Sequence, residues 1–160
     1  MSIYNKIISD KKANKKSFAL LIDPDKQNLT QLLTIINKAE KAKVDYFFVG
    51  GSLLTYDSLD TCLKTIKNNS TIPVVLFPGN AMQVNDKADG ILFLSLISGR
   101  NAEMLIGKQV ITAPILKQSS LEVLPTGYIL VDSGRPTTAS YMSNTTPIPA
   151  TTAVSFTKSF

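Results

Sequence analysis

Five short segments of this sequence carry residues suited to holding an anion: Asp23-Pro24-Asp25, Gly50-Gly51-Ser52, Phe77-Pro78-Gly79-Asn80, Ser98-Gly99-Arg100-Asn101 and Asp132-Ser133-Gly134. Together they supply carboxylates, hydroxyls, an arginine, and glycines that let backbone N–H groups approach a ligand closely. One such segment would mean little, because DPD is also an ordinary turn and GGS an ordinary strand exit. Their recurrence matters because each follows a short apolar run, and residues after the strands of a parallel sheet converge at one end of it. Asp23 and Ser52 follow the first two runs. If those runs are adjacent strands, a carboxylate and a hydroxyl can share one hard cation that keeps most of its waters and binds substrate phosphates. Magnesium is the natural candidate. No residue is assigned a catalytic role.

The elements that would position these segments follow from periodicity. The first run, Phe18 to Ile22, is nearly continuous in large aliphatics, as expected of a strand covered on both faces. Asn28 with Gln31 fits a helix cap and its partner, and Leu29, Leu32, Leu33, Ile36 and Ala39 then form one apolar stripe. Val44 to Val49 predicts a second strand, followed by a helix with Leu59, Cys62, Leu63 and Ile66 on one side. The third strand is expected at Pro73 to Leu76, with a short or irregular helix after it. The fourth is expected at Gly90 to Leu96, leading to a helix bearing Ala102, Leu105 and Ile106, and the fifth at Tyr128 to Val131. Beyond Arg135 the sequence is rich in Ser, Thr and Pro and predicts a long loop, with no further strand to pair with the fifth. The alternation is that of βα units around a parallel sheet.

Composition narrows the chemistry. Histidine is absent and Cys62 is the only cysteine, which excludes intrachain disulfides, paired-cysteine zinc sites and every Ser–His–Asp or Cys–His arrangement. Cys62 reads as core filler. At 160 residues and 44% apolar content, one domain with one core is expected. The N-terminus places charges where a signal peptide needs its apolar core, and no apolar run approaches the ~20 residues that span a bilayer, so a cytoplasmic setting is expected. The net charge of +5 suits anionic partners such as phosphates or a membrane surface. Ile3, Ile7 and Ile8 suggest a short amphipathic helix whose Lys11, Lys12, Lys15 and Lys16 end is a solvated face, and no aromatic interleaving supports nucleic-acid binding.

Six segments, LIDPDK (21–26), FFVGGS (47–52), PVVLFPGN (73–80), LFLSLISGRN (92–101), TGYILVDSG (126–134) and SYMSNTTPIP (140–149), together resemble the geranylgeranylglyceryl phosphate synthase family in its archaeal and Bacteroidetes-like branch. The resemblance implies a (β/α)8 TIM barrel. It also implies transfer of a geranylgeranyl or similar polyprenyl group from its diphosphate to the 3-hydroxyl of sn-glycerol 1-phosphate, a magnesium-dependent step of ether lipid synthesis. Carried across residue by residue, the magnesium-binding aspartate falls on Asp23 and its partner on Ser52. The prenyl groove is expected near the helices after the third and fourth strands. A transient membrane-surface contact and a homo-oligomer are compatible with these partners.

The family continues beyond this point with strands six to eight, which bring an acidic YLE-type segment and the glycine-rich loops that hold the glycerol phosphate. The expectation is therefore a C-terminally truncated chain. Residues 1–150 would form about the first five βα units of the barrel and 151–160 a tail unlike the family, the product of a truncated or frameshifted reading frame. Such a chain, with two unpaired sheet edges and no glycerol phosphate cradle, is expected to be sticky and inactive. Taken by length alone, five βα units also fit a doubly wound flavodoxin-like sheet that binds a nucleotide or a partner. A strand order of 1-2-3-4-5 decides for the barrel.

Overall fold

The computed structural model of the chain describes residues 2–51, 56–79 and 83–152, with the side chains of Tyr56 and Asp57 excepted. Element order is α1 (Ile3–Lys12), β1 (Ala19–Ile22), a 3-10 turn (Pro24–Lys26), α2 (Leu29–Lys41), β2 (Tyr46–Val49), α3 (Tyr56–Asn69), β3 (Val74–Leu76), β4 (Gly90–Leu96), a π-helical turn (Glu103–Gly107), α4 (Lys108–Gln118), β5 (Glu122–Tyr128) and α5 (Thr138–Ser143). The five strands form one sheet in the order β1-β2-β3-β4-β5. That sequential order excludes the flavodoxin-like alternative, in which the order must reverse at a switch point. The pairs β1–β2, β2–β3 and β3–β4 are parallel, with Ile22 opposite Val49 and Val49 opposite Leu76. Strand β5 follows the same direction, since Glu122 N–H donates to Asp89 C=O at one end and Ile97 N–H to Tyr128 C=O at the other.

The chain divides into two compact units, Met1–Leu92 with Ile115–Leu124, and Phe93–Pro114 with Pro125–Phe160. The core of the first is built from the residues that periodicity selects: Leu32, Ile36 and Ala39 of α2, and Leu59, Cys62, Leu63 and Ile66 of α3. With these lie Phe47 and Val49 of β2 and all three residues of β3. Helix α2 begins in a reciprocal cap, Asn28 Oδ1 accepting from Gln31 N–H at 2.9 Å and Gln31 Oε1 from Asn28 N–H at 3.1 Å. Burial pushes the Cys62 thiol up to about 12, so it stays protonated at neutral pH and acts as the small apolar residue expected of it. Asp60, on the flank of α3, is held by Lys64 at 2.8 Å and by Lys87 and Asn85. These contacts, Lys64 first, keep its carboxyl well below the usual carboxylate range and tie α3 to the segment before β4.

Several expectations fail in detail. Leu21 of β1 is 58% exposed and Phe18 lies outside the strand at 61% exposed, so the first strand is not covered on both faces. In α1 only Ile3 is buried, because Glu122 receives the Ile3 and Tyr4 N–H groups and fixes that end of the helix, leaving Ile7 at 40% exposed. Leu29 is likewise exposed at the start of α2. No helix occurs among the described residues between β3 and β4. The helical segment after β4 is present but turned, since Ala102 and Ile106 are exposed whereas Thr112 and Leu116 are buried.

The fifth strand is Glu122–Tyr128 rather than Tyr128 to Val131; it begins earlier and runs through Pro125 and Gly127. Val131 instead forms a single bridge with Ile148, so the long loop does return a partner to the chain after β5. That loop also contains α5, six residues started by a cap in which Thr137 and Ser140 bond reciprocally. Residues 153–160, most of the expected tail, lie outside the described residues.

Candidate functional site

In the first unit, strands β1, β2 and β3 end side by side, and this sets the geometry of the segments that follow them. Gly50 N–H donates to Ile22 C=O at 3.1 Å, and Phe77 N–H donates to Val49 C=O at 2.9 Å. The ladder thus continues one residue past β2 and brings Gly50 against Phe77. A Cβ on Gly50 would sit 1.9 Å from the Phe77 carbonyl oxygen, so this glycine is required by close approach of two backbones. The Phe48 and Phe77 rings lie with centroids 6.2 Å apart beside the same junction.

Asp23 is the first residue after β1. It caps the 3-10 turn, its Oδ1 accepting from Asp25 N–H at 3.3 Å, with Pro24 at the first position of the turn, where a missing N–H costs nothing. Its Oδ2 lies 3.0 Å from Lys26 Nζ, and the carboxylate is a quarter exposed. The DPDK segment is therefore both a turn and a presented carboxylate. Asp25 is committed elsewhere, accepting from the Ser58 hydroxyl of α3. Ser52, the expected partner of Asp23, and Asn80 lie outside the described residues. What the structure does bring together is the exit of β1 at Asp23 and the Gly50-Gly51 exit of β2.

Gln83 joins this group without any sequence signal pointing to it. Its side chain is buried, with Nε2 donating to Gly51 C=O at 3.0 Å and Oε1 accepting from Gly79 N–H at 2.8 Å. One amide therefore satisfies two glycine backbones from the loops after β2 and β3 and holds them at fixed separation. Among the described residues no three His, Cys, Asp or Glu side chains gather into a metal-holding group.

In the second unit, the segment after β4 is bonded to residues 142–145, and the segment after β5 to Ile148. Arg100, expected to meet an anion, donates Nη1 to Gly99 C=O at 2.9 Å. Asn101 donates Nδ2 to Met142 C=O at 2.6 Å. Ser98 Oγ accepts from Leu130 N–H, and Asp132 Oδ1 accepts from Gly134 N–H at 2.8 Å, across a turn in which Gly134 takes φ 77°. Much of the polar content of SGRN and DSG thus serves the loops themselves.

The PcrB family model matches residues 10–156. The geranylgeranylglyceryl phosphate synthase of Chitinophaga pinensis is 55% identical over 148 residues, which are 92% of this chain and 59% of that protein. That of Spirosoma linguale is 51% identical over 139 residues, 87% of this chain and 56% of that protein. The crystal structure of (S)-3-O-geranylgeranylglyceryl phosphate synthase from Thermoplasma acidophilum, in complex with substrate sn-glycerol-1-phosphate, superposes with a TM-score of 0.88 at 29% identity. It covers 98% of this chain and 64% of that one. The chain spans about three-fifths of the length of the relatives it matches.

Proposed function

The chain belongs to the PcrB family, and from that membership we propose that it is part of a prenyltransferase. The reaction is transfer of a geranylgeranyl or similar polyprenyl group from its diphosphate to the 3-hydroxyl of sn-glycerol 1-phosphate, in a cytoplasmic step of ether lipid synthesis. The observation that carries this reading is the position of Asp23, presented at the end of β1 beside the Gly50-Gly51 exit of β2, within two of the segments that resemble the family. Support for the acceptor comes from the relatives' activity and from the glycerol phosphate held by the Thermoplasma acidophilum enzyme.

The chemistry of Asp23 suits a magnesium ion. Magnesium takes oxygen ligands and keeps several waters, so one or two protein donors and the substrate's own phosphates suffice, without a three-carboxylate cage. Asp23 supplies an accessible carboxylate whose nearest cation, Lys26, is itself 76% exposed and free to swing aside. We assign Asp23 and Ser52 as the residues that would hold the ion. When bound, magnesium would draw charge off the departing diphosphate. The chain's own part is positional. Asp23 is oriented by Asp25 N–H, the Gly50-Gly51 backbone is kept close to β3, and Gln83 fixes the two glycine loops, so that the diphosphate end of the donor meets a preformed surface. Among the described residues no helix is long and apolar enough to cross a membrane.

A chimera tests the assignment: residues 1–150 of this chain followed by the remainder of the Chitinophaga pinensis synthase, assayed with labelled geranylgeranyl diphosphate, sn-glycerol 1-phosphate and magnesium. The chimera is expected to form the prenyl glyceryl ether and the 160-residue chain alone to form none. A folded chimera that binds the donor yet makes no ether would count against the proposal.

A further inference from the structure

The net charge of +5 is not spread evenly along the chain. Residues 1–18 hold five lysines and one carboxylate, and residues 38–45 hold three lysines and two carboxylates, which accounts for all five charges. Elsewhere the remaining nine basic and nine acidic residues, of 17 and 12 in all, cancel. The fold of the first unit brings the two basic segments together at the amino ends of β1 and β2. Asp45, just before β2, lies 3.6 Å from Lys6 and 3.7 Å from Lys15, and its Oδ2 accepts from Phe18 N–H at 2.9 Å.

The carboxylates of this region are spent within the unit. Asp10 pairs with Lys6 at 2.8 Å and with Lys15 at 3.6 Å, and Glu40 accepts from the Ser70 hydroxyl and from Thr71 N–H. Glu122 uses one oxygen on Ile3 N–H and the other on Tyr4 N–H, so α1 is pinned at its first turn and again, through Lys6, at Asp45. The lysines are in excess. Lys12, Lys16, Lys38, Lys41 and Lys43 are exposed and make no ion pair among the described residues. Exposed apolar side chains border them. Tyr4, Ile7 and Lys11 follow at i, i+3 and i+7 along the exposed side of α1, and Phe18 is exposed where the chain enters β1. Lysines beside exposed apolar residues on a helix suit a bilayer surface, the ammonium groups meeting anionic headgroups while the apolar side chains enter the acyl boundary. A nucleic acid would meet the lysines and leave Ile7 in water.

We propose that this face, formed by α1 and the last turn of α2, docks on an anionic lipid bilayer. It shares no residue with Asp23, which stands at the other end of β1, and its occupancy does not depend on the transfer reaction. Co-sedimentation of the 160-residue chain at low salt tests it, with vesicles of phosphatidylglycerol and phosphatidylcholine in equal parts and vesicles of phosphatidylcholine alone. The mixed vesicles are expected to bind at least tenfold more tightly, and the preference should vanish at 1 M salt, where charges are screened beyond about 3 Å. The double variant Lys12→Glu/Lys16→Glu should weaken binding to the mixed vesicles at least tenfold. A control of the same net charge, Lys108→Glu/Arg135→Glu, should bind as the parent does. Ile7→Ser/Phe18→Ser should also weaken binding, and circular dichroism should match the parent chain throughout. Absence of binding to the mixed vesicles overturns the proposal, as does equal binding to phosphatidylcholine alone. Equal loss in the control would reduce the effect to net charge and overturn it too. Full binding by Ile7→Ser/Phe18→Ser, or displacement from the vesicles by polyuridylate RNA at equal phosphate, would assign the face to a soluble polyanion and overturn it likewise.

Discussion

Gly50→Ala is expected to lower the stability of the chain by about 3 kcal/mol or more, the upper range for forcing extra volume into a packed position. The added methyl would meet the Phe77 carbonyl oxygen at 1.9 Å. That oxygen belongs to the residue whose N–H bonds Val49 C=O, and Gly50 N–H bonds Ile22 C=O, so relief must come from opening the ladder at the ends of β1, β2 and β3. A flexible side chain could move aside, whereas a backbone carbonyl next to a strand cannot without breaking its neighbours' bonds. In a thermal melt followed by circular dichroism the midpoint should fall by roughly 6–12 °C. An unchanged midpoint would mean that the close approach of Gly50 and Phe77 is absent in solution.

The second large effect is on the reaction. In the active chimera, Asp23→Asn is expected to reduce kcat about a hundredfold or more, because charge compensation at a departing diphosphate contributes several kcal/mol and each 1.36 kcal/mol is a factor of ten. Asparagine keeps the shape and still accepts from Asp25 N–H, so the turn survives and the loss reports on charge alone. The fold should be unaffected, since the Asp23 carboxylate makes its other contact with the exposed Lys26. A variant that turns over at the parent rate would remove Asp23 from the assignment.

Much of this was legible in the sequence wherever a local pattern had a single physical reading. The reciprocal cap of Asn28 and Gln31, the buried stripe of α3 and the bounds of β4 follow from spacing alone, and the adjacency of the Asp23 and Gly50 exits follows from βα alternation. Strand β5 starts earlier than the expected Tyr128 to Val131 and runs through Pro125 and Gly127, which its last place in the sheet order tolerates. Helix α5 was hidden because six residues of TASYMS contain too few apolar positions to show a period, and only the Thr137–Ser140 cap marks its start. Gln83 had no local signal, since its partners, Gly51 and Gly79, are backbone groups from two separate loops. Leu21 was expected to be buried because an apolar run states that a residue can be covered and not that something covers it.

The central claim is that the exits of β1 and β2 present one cation-dependent diphosphate site. The direct measurement is calorimetric titration of the 160-residue chain with inorganic diphosphate, with and without magnesium, for the parent, Asp23→Asn, Ser52→Ala and the double variant. If Asp23 and Ser52 serve one ion as proposed, binding should require magnesium, weaken at least tenfold in each single variant, and fall little further in the double variant. Binding that ignores magnesium, or that survives Asp23→Asn intact, would contradict that assignment.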